Sequence, residues 1–185
     1  MRNQLAELPN DEDKLKRFEE AVLPHLPAAV NLALWLTRGD QDAEDLVQEA
    51  YLRALRFFDG FQGGDCRPWL LTIVRNTCYG WLKKQRPHEL TAVFDEAVHS
   101  DPDISTPETL LLEALDAQTV KNALERLPLA FREVIVLREI EGLSYRQISE
   151  VTEVPIGTVM SRLARGRKRL QEGLAAPHQG VLGDL

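Results

Sequence analysis

Cysteine is scarce in this chain, and its two copies, Cys66 and Cys78, stand in no metal-ligand spacing. That excludes a disulfide framework and the usual zinc motifs. The four histidines, His25, His88, His99 and His178, are scattered, so no metal or cofactor is expected. There is no phosphate-binding glycine loop, nucleophile elbow or ligand cluster, which makes an enzyme the weakest of the readings. No apolar run is long. Ala28–Leu36 is far short of the roughly 20 residues that span a bilayer, and Asn31 interrupts it. The N-terminus is acidic and polar, unlike a signal peptide. A soluble cytoplasmic protein without membrane insertion is expected.

Hydrophobic residues make up 44% of the 185, enough for packed cores. The formal charge is −7, which at first sight argues against nucleic acid. Its distribution reverses that impression. Residues 61–90 and 161–185 each carry 5 bases against 2 acids, whereas residues 91–160 carry 13 acids against 5 bases. Local field, not net charge, governs phosphate binding.

Apolar spacing is helical throughout, and no internal repeat interrupts it. Leu15, Phe18, Val22 and Leu23 fall on one helical face, and Pro24 and Pro27 break that helix. A second helix covers about Ala28–Leu36, with Gly39 as its C-cap. A third starts at Asp40 or Asp42, where acids complement the macrodipole. It keeps an i, i+3, i+4 rhythm through Phe58. After a loop at Asp59–Asp65, a fourth helix begins near Pro68 and ends before Pro87. Residues 88–108 read as an acidic interdomain linker. Helices follow from Pro107 to about Leu127 and over Ala130–Glu141, closing at Gly142. The tail after Ala176 reads as disordered. The predicted fold is all-α: two small helical domains, 14–87 and 109–175, joined by a flexible linker.

Leu143–Leu170 reads as two short helices joined by a tight turn. Ser144 is placed to cap the first, in which Ile148 and Val151 point inward. Pro155 is placed to start the second, with Gly157 permitting close approach of another backbone and Val159 and Leu163 facing the core. Arg162, Arg165, Arg167, Lys168 and Arg169 put five bases in eight residues with no acid among them. A helix-turn-helix presents its second helix to the major groove in this way. Thr158, Ser161, Arg162 and Arg165 are types that contact base edges and phosphates, and Arg167, Lys168 and Arg169, farther along, suit phosphates. The bland alternative is a solvated basic face.

The other basic island mixes cations with aromatics. Arg75, Asn76, Lys83, Lys84 and Arg86 share a helix with Trp69, Tyr79 and Trp81. Unstacked bases need π platforms and their backbone needs charge, so the mixture suits single-stranded DNA. Trp69 and Trp81, each taken alone, read as core residues. Asn76, Tyr79 and Lys83 lie at helical spacing on one face.

The strings DAEDLVQEAYLRALRFFDGF and RPWLLTIVRNTCYGWLKKQR resemble the promoter-melting domain of bacterial sigma factors. REVIVLREIEGLSYRQISEVTEVPIGTVMSRLARGRKRL resembles their −35-reading domain. Size and layout resemble the extracytoplasmic-function (ECF) class of the sigma-70 family, over about residues 14–175. The resemblance implies a non-enzymatic subunit that binds core RNA polymerase, reads −35 DNA as duplex, and melts and holds the −10 element. It implies docking on the β′ clamp helices through Asp45, Leu46, Gln48, Glu49, Leu52 and Arg53, and contact of the C-terminal domain with the β flap. It assigns −10 DNA to Phe61, Gly63, Asp65, Arg67, Arg75, Asn76, Tyr79, Lys83 and Lys84. A flipped base would be captured by the loop Gly60–Arg67. The −35 set is Thr158, Met160, Ser161, Arg162, Arg165, Arg167 and Lys168. An anti-sigma factor is a further implied partner.

Four positions depart from the family pattern. Glu153 stands where the turn often has glycine, which demands an unusual backbone conformation. Met160 and Ala164 stand where larger polar or aromatic residues are frequent. Pro68 replaces a small residue before Trp69, as a helix start tolerates. Two rivals remain: a helical adaptor that binds only protein, and a helix-turn-helix regulator that binds duplex operators as a dimer.

Overall fold

The computed structural model describes residues 11–90 and 117–175. Every regular element among them is helical. The chain divides into two compact units, the main break falling between Lys84 and Gln85. The expected linker lies outside the described residues from 91 to 108. Residues 88–90 belong to a short helical stretch over 87–90. The tail after Ala176 also lies outside.

The first unit contains α1 (Asp11–Val22), α2 (Leu26–Thr37), α3 (Asp40–Phe57) and α4 (Cys66–Gln85). A 3-10 turn over Leu23–His25 joins α1 to α2, where the two prolines interrupt the helical run. Phe18 and Val22 enter the core as predicted, but Leu15 and Leu23 are exposed. α1 meets the core along too narrow a stripe for all four. Gly39 is not the C-cap of α2. Arg38 takes the left-handed conformation there, at φ 58°, its N–H donating to Leu34 O at 2.9 Å. Gly39 is extended and precedes α3, accepting from Ala43 N–H. Such a C-cap satisfies a terminal carbonyl, and arginine carries the backbone cost that glycine would avoid.

α4 starts earlier than predicted. Asp65 accepts a hydrogen bond from Arg67 N–H at 3.0 Å, and Cys66 opens the helix. Pro68, the third helical residue, is buried. A proline there removes only an N–H that has no intrahelical partner.

The second unit contains α5 (Ala117–Arg126), α6 (Leu129–Ile135), a π-helical turn (Val136–Ile140), α7 (Tyr145–Thr152) and α8 (Ile156–Ala175). The helix predicted over Ala130–Glu141 is thus split. Glu141 N–H bonds Val136 O in an i→i+5 pattern, and Gly142, at φ 68°, lets Leu143 N–H reach Leu137 O. Arg132 is fully buried. Its guanidinium donates to Glu125 O at 3.2 Å and Leu127 O at 3.1 Å, satisfying carbonyls at the end of α5. The Glu89 carboxylate lies 3.6 Å away and compensates the buried charge. α6 packs against α8 at Gly166. A Cβ on Gly166 would stand 3.1 Å from Ile135 Cγ1 and 3.3 Å from Phe131 Cβ.

Candidate nucleic-acid interface

The turn between α7 and α8 follows from local chemistry. Ser144 and Gln147 form a capping box: Gln147 N–H donates to Ser144 Oγ at 3.2 Å, and Ser144 N–H to Gln147 Oε1 at 2.9 Å. α7 ends at Glu153, which takes φ 56°. The departure read from sequence is therefore real: a non-glycine occupies the left-handed position. Ser149 Oγ donates to Val154 O at 2.6 Å and fixes the turn from within. The Pro155 carbonyl then accepts from Thr158 and Val159 N–H, starting α8. Ile148, Val151, Val159 and Leu163 are buried, as their spacing required.

Within the cationic run of α8, Arg167 and Arg169 meet other parts of the second unit. Arg167 Nε and Nη2 both donate to Glu139 Oε1, at 3.1 and 2.6 Å. Desolvation opposes the charge on Arg167, but the hydrogen bonds and charge of Glu139 outweigh it and hold the guanidinium above its ordinary pKa. Arg169 lies over the Phe131 ring at 4.9 Å. These two fasten α8 to α6 and the π-turn. Lys168 is exposed, Arg162 and Arg165 half-buried. Ser161 Oγ donates to Thr158 O at 3.0 Å, Thr158 is half-buried, and Met160 is exposed. Gly157 has open space around it, so no backbone of this unit makes the close approach read from sequence.

In the first unit, the loop ahead of α4 rests on aromatic rings. Phe58 meets Phe18 edge-on at 5.3 Å and stacks with Phe61 at 6.1 Å. Trp69 lies 5.1 Å from Phe61 and 6.2 Å from Phe58. Trp69 and Trp81 are half-buried, neither free platforms nor full core residues. Gly63 and Gly64 both have positive φ, 87° and 97°, and both are exposed. An open cavity of about 520 Å³ is lined by Arg17, Phe58, Asp59, Phe61 and Gly63. Lys14 Nζ clips α1 to this corner through Asp59, at 2.5 Å. The sequence reading missed Lys14 and Arg17, because only packing of α1 brings them to a loop 40 residues away. Burial, with the neighbouring Asp65 charge, pushes the Cys66 thiol pKa up.

Along α4, Arg75 stacks on Tyr79 at 4.1 Å and donates to Asn76 Oδ1 at 3.3 Å. Asn76, Lys83 and Lys84 are exposed. On α3, Asp45, Gln48, Glu49, Leu52 and Arg53 form one exposed stripe, with Leu52 70% exposed. Glu49 and Arg53 pair across one turn. Leu46 does not share the stripe: it is 6% exposed and faces the core, one turn from buried Ala43 and Ala50.

Residues 21–88 match the family described as Sigma-70 region 2, and residues 117–170 match Sigma-70, region 4. The RNA polymerase sigma-H factor of Pseudomonas aeruginosa is 34% identical over 179 residues, covering 92% of each chain. The chain belongs to the sigma-70 family, as an ECF sigma factor. It is similar to the ECF RNA polymerase sigma-E factor of Escherichia coli K12, at 38% identity over 70% of this chain and 72% of that one. It is 33% identical to the ECF RNA polymerase sigma factor SigE of Mycolicibacterium smegmatis, covering 89% of this chain and 64% of that protein. The solved sigma factor RpoE, in complex with the anti-sigma factor NepR from Bartonella quintana, matches with a TM-score of 0.68. Its identity is 32%, over 88% of this chain and 99% of that one. CnrH, in complex with the cytosolic domain of CnrY, has the same fold at a TM-score of 0.64 and 23% identity. A sigma factor directs transcription initiation and is not an enzyme. In this one, Lys14 and Arg17 precede the region 2 match, whereas the helix-turn-helix lies inside region 4.

Proposed function

We propose that this sigma factor recruits core RNA polymerase to promoters by reading the −35 element as duplex and opening and holding the −10 element as a single strand. The observation that carries the reading is the cationic edge of α8. Arg167 and Arg169 brace the helix from behind, while Arg162, Arg165 and Lys168 complete a cationic edge beside Thr158, Met160 and Ser161. A braced helix with such an edge suits a major groove.

The first unit supplies the opening step. A base leaving the stack seats in the cavity at Arg17, Phe58 and Phe61, beneath the Gly63–Gly64 backbone. Aromatic contact there replaces part of the lost stacking, a cost of a few kcal/mol per flipped base. Arg67, Arg75, Asn76, Tyr79, Lys83 and Lys84 carry the strand's backbone away from that corner. Asp65 acts by capping α4 beneath the loop. The stripe Asp45, Gln48, Glu49, Leu52 and Arg53 docks on the β′ clamp helices, and the second unit meets the β flap. An anti-sigma factor covering the same faces would hold the protein inactive; the complex of RpoE with the anti-sigma factor NepR supports such a partner. A cytoplasmic site of action follows from this role.

Run-off transcription with core polymerase tests the proposal. Arg162→Ala with Arg165→Ala should lower −35-dependent initiation at least tenfold, at about 1–3 kcal/mol per base-directed arginine, and leave core affinity unchanged. Asp45→Ala with Gln48→Ala should do the reverse. Absence of any promoter-specific transcript from a matched genomic library would refute it.

A further inference from the structure

The buried line of α8 is Val159, Leu163, Gly166 and Leu170. On the side away from it stand small residues, Gly157, Ser161 and Ala164. A Cβ built on Gly157 would meet nothing within 4 Å, so the helix presents bare backbone to whatever approaches. Beside this shallow line, one turn apart, Ile156 and Met160 are 45% and 47% exposed. Single exposed apolar residues are ordinary on a protein surface. Two on successive turns form an apolar strip, and helical spacing puts Arg165 and Lys168 across the shallow line of small residues from it. The cations match the phosphate walls of a groove, and they argue against an apolar protein partner. Among major-groove base edges, the apolar group is the C5-methyl of thymine.

We propose that Ile156 and Met160 determine −35 specificity by packing against thymine methyl groups. The small residues at Gly157, Ser161 and Ala164 let the helix sit deep enough for the contact. The inference rests on the assignment of α8 to duplex reading, and it deepens that assignment. Methionine suits the task because its unbranched thioether adapts to a methyl whose position shifts with local duplex geometry.

The experiment uses holoenzyme, the full chain with core polymerase, on promoters whose −35 element has first been found by selection. Each thymine of that element is replaced in turn by deoxyuridine, which deletes only the methyl. Initiation by the natural chain should fall about fourfold at one or two positions, the cost of one exposed methyl-sized group. Met160→Ala and Ile156→Ala should initiate equally well from thymine and deoxyuridine templates at those positions. Indifference of the natural chain to every replacement, while a scrambled −35 element still abolishes initiation, would overturn the proposal and leave the sigma reading standing. Retained sensitivity in both variants would also overturn it, since the methyl would then act through duplex shape. Loss of core affinity by Met160→Ala, measured without DNA, would mark the strip as a protein contact and overturn it equally. If scrambling the −35 element has no effect, the duplex-reading assignment of α8 itself fails.

Discussion

α4 and α8 are both basic helices of 20 residues, yet they use their cations in opposite ways. On α4, Arg75 lies over Tyr79, a half-buried ring on its own helix, and Lys83 and Lys84 stay in solvent. The surface is shaped by the aromatic corner before the helix begins. On α8, Arg167 turns back onto Glu139 and Arg169 onto Phe131. A helix that must sit in a groove at a fixed angle needs bracing from behind. A surface that follows a flexible single strand needs adaptable charge and flat rings instead.

The largest expected effect lies at the aromatic corner. Phe58→Ala removes the ring shared by Phe18, Phe61 and Trp69, and should destabilise the first unit by about 3–5 kcal/mol. Chemical denaturation followed by tryptophan fluorescence measures this; a loss below 1 kcal/mol would mean the loop does not rest on that ring. Next comes the contact behind α8. Gly166→Val forces new atoms against Ile135 and Phe131 and should cost the second unit about 1–3 kcal/mol in thermal unfolding. An unchanged Tm there would show that α6 and α8 have room to part.

The α8 cations are tested by salt. Lys168→Ala should lower the slope of log affinity against log salt by about 1, as expected for one lost phosphate contact. Arg167→Ala should leave the slope nearly unchanged, because Glu139 already holds that guanidinium. Equal slopes for the two variants would erase the distinction drawn between them. The smallest effect is set by pH. Tyr51 donates to Val22 O at 3.3 Å, and burial, helped by nearby Cys66, pushes its pKa up from 10.0 to about 12. The fold favours the neutral phenol. Its stabilisation is complete below pH 10 and is lost as pH rises toward 12. Tyr51→Phe should therefore flatten the pH dependence of first-unit stability across that window. A curve parallel to that of the natural chain would show that other groups dominate it.

Much of the helix-turn-helix was legible in advance because its signals are local. Ser144 and Gln147 cap within one turn, Glu153 sits where the turn demands positive φ, and Pro155 starts the next helix. Gly39 misled because helix closure here is achieved by Arg38, an unusual residue for the left-handed region. Leu46 misled because a face assigned by resemblance included a position that the helical period turns inward. Arg132, with its carbonyl partners at the end of α5, left no trace in any short window. The π-turn after Ile135 was hidden because its apolar spacing resembles that of a continuous helix.

By itself the sequence determined the all-helical character, the division of basic and acidic stretches, and the order of two domains with distinct chemistry. Those properties depend on residues a few positions apart, where periodicity, capping and charge act directly. Tertiary structure alone decided which cations face outward, that Lys14 and Arg17 join the loop corner, and that Gly166 admits α6. Each of these depends on a contact between residues at least 28 positions apart, and only packing chooses which side chains meet.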